Sequence, residues 1–567
     1  MSDKAEAAVS RGWRLWLVLI LLLLVMGGIM GRMLSLYVDE QEFLQTQGDA
    51  RSLRTIQVPA HRGIIKDRNG EPLAVSAPVA TIWADPKMAD LQHSGLAQLA
   101  VLLKTNRKML TAKLAENRSR RFLYLQRQVT PELAEQVRAL RIPGIHVDRE
   151  YKRYYPAAEV TTHLVGFTNL DGKGQEGIEL AYEDWLQAES GRQLVMKDRL
   201  GRTIKHIREV QPAQHGNDIQ LSIDLRLQYL AYRELKAAVK AHNADGGSMV
   251  MLDAATGEVL AMVNQPSYNP NDPRQRISSA LRNRALTDTF EPGSTVKPMT
   301  VAAALMSGQY TPHTMVDTSP GYMRVKRKTI RDHRNYGEID VSTIITKSSN
   351  VGVTKLSLSL PNGSVRNLHH NLGFGRPTGI GFPGESSGYL PFLNERQVLE
   401  RATMSYGYGL SVTPLQLAQS YLALANDGVL SPVSLIRQSE AGKPVRVMPA
   451  QVARDVREMM ETVISRKGTG RRAAVAGYRV AGKTGTVHKV GQAGYLDDQY
   501  MSFFAGMAPA SNPRIVAVAV VDNPKGQEYY GGEVAAPLFS RAVGGALRLM
   551  NIPPDNWPKN DKQIANR

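Results

Sequence analysis

The chain has 567 residues, 70 of them Lys or Arg against 52 Asp or Glu, for a formal charge of +18, and it contains no cysteine. That length exceeds what one hydrophobic core organises, so two or three domains are expected. Disulfides, lipid attachment through sulfur and thiolate metal sites are excluded, while the charge admits nucleic acid, an anionic membrane or an anionic polymer as neighbour.

In chain order, the first predicted element is an anchor. From Leu15 to Gly31 the run "LWLVLILLLLVMGGIMG" carries no charge. With Trp13, Trp16 and "RMLSLY" at its ends it reaches the roughly 20 residues needed to cross a bilayer. We place the transmembrane segment at 15–36 and a cytoplasmic tail at 1–14. Lys4, Arg11 and Arg14 precede the run and Asp39, Glu40 and Glu42 follow it, which orients the N-terminus inward and the rest of the chain outward. A cleaved signal peptide is the alternative, but no small-x-small cleavage site follows the run. An outward chain has no use for nucleic acid, and the basic runs "RRFLYLQRQ" and "RVKRKTIRDHR" read as solvated faces or hairpins near an anionic wall.

Residues 50–218 alternate short strands ("IQVPAHRGIIKDRNGEPLAV"), an Asn69-Gly70 turn and amphipathic helices ("SGLAQLAVLLKT", "TPELAEQVRALR"), an elongated α+β module. Its clustered charges, "HRGIIKDRNG" and "GQEGIELAYEDW", read as internal salt bridges and not as catalysts. A second module, 219–552, opens with a strand running into an amphipathic helix, "IQLSIDLRLQYLAYREL". It continues as a hairpin about Thr256-Gly257 and ends with strand-like "SFFAGMAPA" and "PRIVAVAVVDNP". Strands at both ends and alanine-rich helices between them predict an antiparallel sheet closed by sequence-distant strands, with helices on its faces. The fold class is therefore α+β, followed by a loose polar tail at 553–567.

Within this module "EPGSTVKP" holds Ser294 and Lys297. Pro298 is tolerated only in a first helical turn, so the helix "MTVAAALMSG" is expected to start near Ser294 or Thr295. The serine then sits at a positive helix end with a free N–H. A serine needs a base, and a lysine serves as one only if burial or a second cation lowers its pKa from ~10.4. By itself such a Ser-x-x-Lys spacing arises roughly once or twice by chance in a chain this long. "KSSNVG" then adds Ser348 and Asn350, and "AGKTGTVHK" adds Lys483, Thr484, Gly485 and Thr486 on a predicted strand. The histidines are scattered, with His369-His370 the one adjacent pair, and no metal or cofactor site is expected.

Ser-x-x-Lys, Ser-x-Asn and Lys-Thr-Gly in that order resemble the penicillin-recognising serine acyltransferases. "RGIIKDRNGEPLAVS", "RYYPAAEVTTHLVGFT" and "GQEGIELAYEDWL" are similar to the pedestal boxes of the class B penicillin-binding proteins. "FEPGSTVKP", "KSSNVGV" and "SYGYGLSVTPLQLA" resemble their division-specific branch. Two departures stand out: Ala158 where the pedestal box usually has glycine, and His488 where relatives often carry arginine or lysine.

The resemblance implies a membrane-anchored pedestal and transpeptidase of the septal D,D-transpeptidase kind, acting on peptidoglycan stem pentapeptides and acylated by β-lactam antibiotics. It implies Ser294 as nucleophile, Lys297 as base, Lys483 as the second cation and carboxylate ligand, Ser348 as proton shuttle and Asn350 as an aligning side chain. Thr484, Gly485, Thr486 and Tyr408 fall to substrate binding, and the N–H groups of Ser294 and Thr486 to the oxyanion hole. It implies an inner-membrane location with periplasmic domains, and division-machinery partners such as a FtsW-type glycosyltransferase. Taken singly, Ser348 and Ser349 read rather as helix caps, Lys483 as an ordinary strand-edge charge and the glycines of "SYGYG" as a turn; order and flanks together favour the catalytic reading. An elongation-type transpeptidase and a membrane-anchored β-lactam sensor or division scaffold remain as alternatives. The stretch "ESSGYLPFLNERQVLE" lacks a Glu-x-x-Leu-Asn box, so efficient hydrolysis of an acyl-enzyme is not expected.

Overall fold

The computed structural model describes residues 3–198, 203–438, 442–491 and 494–556. Met1 and Ser2 of the expected cytoplasmic tail and residues 557–567 of the expected C-terminal tail lie outside them. The first helix, α1 (Asp3–Val38), includes a stretch, Gly12–Val38, long and apolar enough to cross a membrane. Over Gly12–Val38 the large apolar side chains other than half-buried Leu36 are exposed, Leu24 by 69%, which is the opposite of a core helix.

By compactness the chain groups into two units, drawn differently from the linear division at residue 218. One unit takes in residues up to Ala60, Val79–Glu150 and Ala188–His215. It holds a three-stranded antiparallel sheet of Leu53–Val58, Gly191–Lys197 and Thr203–Gln211. It also holds a core in which Ile82, Leu96, Leu99, Leu114 and Val137 meet. The two predicted amphipathic helices form here as Gly95–Leu102 and Pro131–Ala139, the latter capped by Thr130 with a proline in its first turn.

The other unit comprises His61–Pro78, Tyr151–Gln187 and the chain from Gly216 onward. Its framework runs α2 (Leu225–Ala241), β1 (Gly246–Asp253), β2 (Val259–Gln265), α3 (Lys297–Met306), α4 (Val341–Lys347) and α5 (Asn350–Ser359). It continues through α6 (Pro414–Ala425), α7 (Ala450–Glu461), β3 (Ala481–Gly491), β4 (Gly494–Ala508), β5 (Ile515–Asp522) and α8 (Gly531–Leu549). The strands form one antiparallel sheet in the order β2-β1-β5-β4-β3, so the hairpin near residue 257 joins strands more than 200 residues later, as expected.

Both faces of this sheet are covered, which is why its strands read as continuous apolar runs and not as alternation. Met249, Met251, Phe504, Ala517 and Ala519 pack with α2 and α8, while Val250, Leu252, Phe503, Val516 and Val518 pack with α3, α6 and α7. Alternate side chains thus enter two cores, as the strand period of two requires. In this order β3 is an edge strand, paired only with β4.

The charged boxes at 61–70 and 174–185 contribute internal ion pairs, as read. Glu179, fully buried, accepts from Arg62 Nε and Arg153 Nε at 2.6 Å each, and Arg62 also reaches Glu183 at 2.8 Å. Asp67, equally buried, accepts from the N–H groups of Asn69, Glu71 and Leu225. Ala158 holds φ +43, the left-handed region in which a Cβ costs energy. That is the physical content of a glycine at this position in relatives.

Candidate active site

Gly293, at φ +49, starts a 3₁₀ turn, Gly293–Val296, and the α-helical bonding of α3 begins only at Lys297. The helix therefore starts about three residues later than Pro298 alone implies. The intervening turn is tightened by Pro292, whose carbonyl accepts from both Thr295 N and Thr295 Oγ1. A 3₁₀ turn eclipses residues three apart, so Ser294 and Lys297 share one edge of it. Ser294 is half-buried while Thr295, Val296 and Lys297 are buried, which leaves the serine as the turn's outlet to solvent.

Backbone close contact fixes this turn. Gly293 N donates to Gly407 O at 3.1 Å, and a Cβ on Gly407 would stand 2.1 Å from Gly293 O. The glycine of "SYGYG" is therefore required by main chain lying on main chain, as well as by its φ of +90. From the other side Val487 of β3 fills the space where a Gly293 Cβ would point, 2.6 Å away. Tyr421, buried in α6, donates its hydroxyl to Thr295 O at 2.8 Å.

Lys297 is fully buried, and its Nζ donates to Asn350 Oδ1 at 2.7 Å, Ser348 O at 2.5 Å and Ser348 Oγ at 3.1 Å. Lys483, from edge strand β3, is also fully buried and donates to the same Ser348 Oγ at 3.0 Å. One hydroxyl thus accepts from two lysine amino groups and keeps its own O–H to give elsewhere. Burial, with Lys483 second and Asp332 opposing, holds Lys297 well below the usual lysine range. Burial brings Lys483 down to about 7. The second cation contributes as expected, but desolvation is the larger cause, because both amines sit between packed helices and the sheet.

The two serines of "KSSN" have different jobs. Ser349 is a cap: its Oγ accepts from Gly352 N at 2.8 Å at the start of α5. Ser348 ends α4 in the left-handed region, φ +59, ψ +40. That conformation turns its carbonyl and its hydroxyl to Lys297 together. Sequence reading missed the residue that orders this corner. Asp332 accepts from Ser349 Oγ at 2.6 Å, Asn350 N at 2.5 Å and Val351 N at 3.0 Å, a carboxylate on the first turn of α5. Asn350 Nδ2 donates to Arg331 O, so its Oδ1 is left facing Lys297.

On β3, Gly485 lies under the Phe503 ring, whose carbon would be 1.9 Å from any Cβ there. Thr484 Oγ1 bonds Thr469 Oγ1 at 2.8 Å. Thr486 Oγ1 accepts from Gly531 N, the first residue of α8, at 2.9 Å, leaving its own O–H to donate. Tyr408 lies 6.2 Å ring to ring from Tyr495. Glu291, just before the turn, joins that wall by accepting from Gly409 N at 2.8 Å and Tyr495 Oη at 2.9 Å, another contact not foreseen. His488 is half-buried, bonded to Leu496 O through Nδ1 at 3.0 Å, with its ring 4.6 Å from Tyr500.

The profile of the penicillin-binding protein transpeptidase domain matches residues 247–544, and that of the penicillin-binding protein dimerisation domain matches 57–221. The chain is 44% identical over 563 residues to the peptidoglycan D,D-transpeptidase FtsI of Escherichia coli K12, covering 98% of this chain and 95% of that protein. It is 42% identical to the probable peptidoglycan D,D-transpeptidase PbpC of Pseudomonas aeruginosa, over 98% of both. Among solved structures, penicillin-binding protein 3 of Mycobacterium tuberculosis in complex with aztreonam superposes with a TM-score of 0.69 at 28% identity, covering 88% of this chain and 98% of that one. The apo transpeptidase domain of penicillin-binding protein 3 from Burkholderia pseudomallei aligns at 43% identity and a TM-score of 0.55, over 59% of this chain and 98% of that one.

Proposed function

The chain belongs to the class B penicillin-binding proteins, and from that premise we propose a septal peptidoglycan D,D-transpeptidase that works through an acyl-enzyme on Ser294. The single observation that carries the assignment of roles is the convergence of two buried lysines, from α3 and β3, on Ser348 Oγ beside the Ser294 turn.

In this reading Lys297, held neutral by burial, takes the proton as Ser294 Oγ attacks the carbonyl of the penultimate D-alanine. The new C–O bond forms, the amide C–N bond breaks, and the proton passes through Ser348 Oγ to the departing D-alanine amine. Lys483 neutralises the substrate's terminal carboxylate, with Thr484 and Thr486 beside it and Gly485 leaving room on the strand. The N–H groups of Ser294 and Thr486 hold the oxyanion, each such donor contributing about 3 kcal/mol. Asn350 keeps Lys297 aligned, and Tyr408 lines the cleft. An amine from a neighbouring strand then attacks the ester, forming the crosslink and returning the proton to Ser294. β-Lactams are acylating mimics of the same substrate.

The apolar helix α1 supports a single-pass inner-membrane anchor with a cytoplasmic N-terminus and periplasmic domains. The pedestal at 50–218, larger than catalysis needs, supports docking by division proteins such as a FtsW-type glycosyltransferase. Labelling purified protein with a fluorescent penicillin tests the nucleophile: one covalent adduct is expected, and none in Ser294→Ala. A label that survives that substitution overturns the assignment. Depletion in cells tests the setting, with filaments expected for septation and round cells overturning it.

A further inference from the structure

Apart from the lysine site, the same compact unit contains a cavity of about 320 Å³ that no step above uses. Its lining mixes polar side chains, among them Thr162, His163, Glu176 and Tyr268, with apolar Leu281, Phe382 and Pro383. That volume is near the lower end of ligand pockets, ~300–1,000 Å³, room for a small ring. Its floor is held firmly. Asn283 accepts from Asn264 Nδ2 at 2.8 Å and donates to His163 O at 3.2 Å, while His163 Nε2 bonds Ala280 O at 2.8 Å.

What marks the cavity is unspent hydrogen-bonding capacity. Tyr268 and Thr162 are 2% and 1% exposed, and beyond each other neither hydroxyl has a hydrogen-bond partner among the described residues. Buried polar groups are rarely left so. Glu176 is half-buried with no cation paired to it among the described residues, and burial raises its pKa. Arg282 at the mouth is engaged by Asp288 at 2.8 Å. A carboxylate without a cation disfavours anions and favours O–H or N–H donors, the two hydroxyls both donate and accept, and Leu281, Phe382 and Pro383 add apolar lining. A pyranose with an amide substituent combines the same two characters, a hydroxyl edge and an apolar ring face.

We propose that this cavity is a second carbohydrate site, taking one N-acetylated hexosamine ring of a glycan strand, with Glu176 accepting from its hydroxyls and Tyr268 and Thr162 bonding its amide. The choice of a glycan among hydroxylated ligands rests on the proposed function. Occupation there would hold a strand on the enzyme independently of the stem peptide in the Ser294 cleft.

The test uses full-length protein in detergent, first acylated with penicillin so that the Ser294 cleft is closed, and titrated with the β-1,4-linked trimer of N-acetylglucosamine by calorimetry or saturation-transfer NMR. Binding to the acylated protein is expected, weakened about 10-fold by Glu176→Gln and again by Tyr268→Phe. Tyr268→Phe removes a hydroxyl whose one neighbour is the Thr162 hydroxyl and should leave the melting temperature nearly unchanged, so a loss of binding there is not a loss of fold. No binding to wild type, binding that both variants retain, or tighter binding of 1,4-diaminobutane than of the trimer would each overturn the proposal. Penicillin acylation is the separate control: its failure would strike the proposed function, whereas intact acylation without sugar binding strikes only this inference.

Discussion

Glu179, fully buried, and Ser348, half-buried, are each gripped by two buried basic side chains that come from distant parts of the sequence. Around Glu179 the bases are Arg62 and Arg153, and the group between them is a carboxylate. Around Ser348 they are Lys297 and Lys483, and the group between them is a neutral hydroxyl. Guanidinium stays charged in any protein, whereas a buried ammonium is readily driven neutral. Compensated charge of fixed protonation makes a brace; uncompensated charge of adjustable protonation makes a site for moving protons. All four basic side chains are buried, so burial of the bases alone does not distinguish the clusters.

Substitutions at Lys297, Glu179 and Ala158 and a titration of Lys483 can break that contrast. Replacing Lys297 by Met, or by an arginine that cannot act as a base, should lower the acylation rate by ~10³–10⁴-fold, with thermal melting unchanged or improved, read by stopped-flow labelling and calorimetry. A melting loss without a rate loss would make the lysine structural. Glu179→Gln should do the reverse: it leaves two arginines facing each other and should cost about 3–5 kcal/mol in denaturant unfolding, while the folded fraction acylates at the wild-type rate.

The titration concerns Lys483. Its folded pKa of about 7 lies below that of an unfolded lysine, so between roughly 7 and 10.4 the unfolded chain binds more protons and stability rises with pH. The slope from this group is at most ~1.4 kcal/mol per pH unit. Lys483→Met should flatten it, and an unchanged slope would return the effect to other groups. The smallest change is Ala158→Gly. Relief of a left-handed alanine, ~1–2 kcal/mol, is largely offset by the freedom glycine regains in the unfolded chain. A net gain below about 1 kcal/mol is expected, and a loss would mean that the methyl packs usefully.

Legibility in the sequence followed the range of each interaction. The hairpin at 256–257, the apolar strands, the capped helix at 131 and the charged boxes of the pedestal are written in local pattern, and the structure forms them. The spacing in "STVKP" identified the two residues of the turn, but the onset of α3 at Lys297 depends on Gly293 and Gly407 touching across more than 100 residues. Asp332 and Glu291 escaped for the same reason: an isolated acid in a loop carries no signal until the N–H groups it serves are folded against it. The left-handed Ser348, which presents carbonyl and hydroxyl together, is likewise a consequence of how α4 ends and not of any motif. The interleaving of 61–78 and 151–187 with the unit that starts again at Gly216 lies beyond any reading that cuts the chain once.

The position of β3 at the end of the sheet has one more consequence. A strand with a neighbour on one side only carries a row of main-chain donors and acceptors that ask for another chain, and most proteins conceal such a row. Here it runs past the Ser294 turn. An extended peptide laid along it becomes, mechanically, a sixth strand, recognised through its amide groups and spacing before its side chains are consulted. A surface of that kind aligns a scissile bond by register. The hazard of an open edge and the catalytic use of one are then the same geometry, distinguished by what arrives.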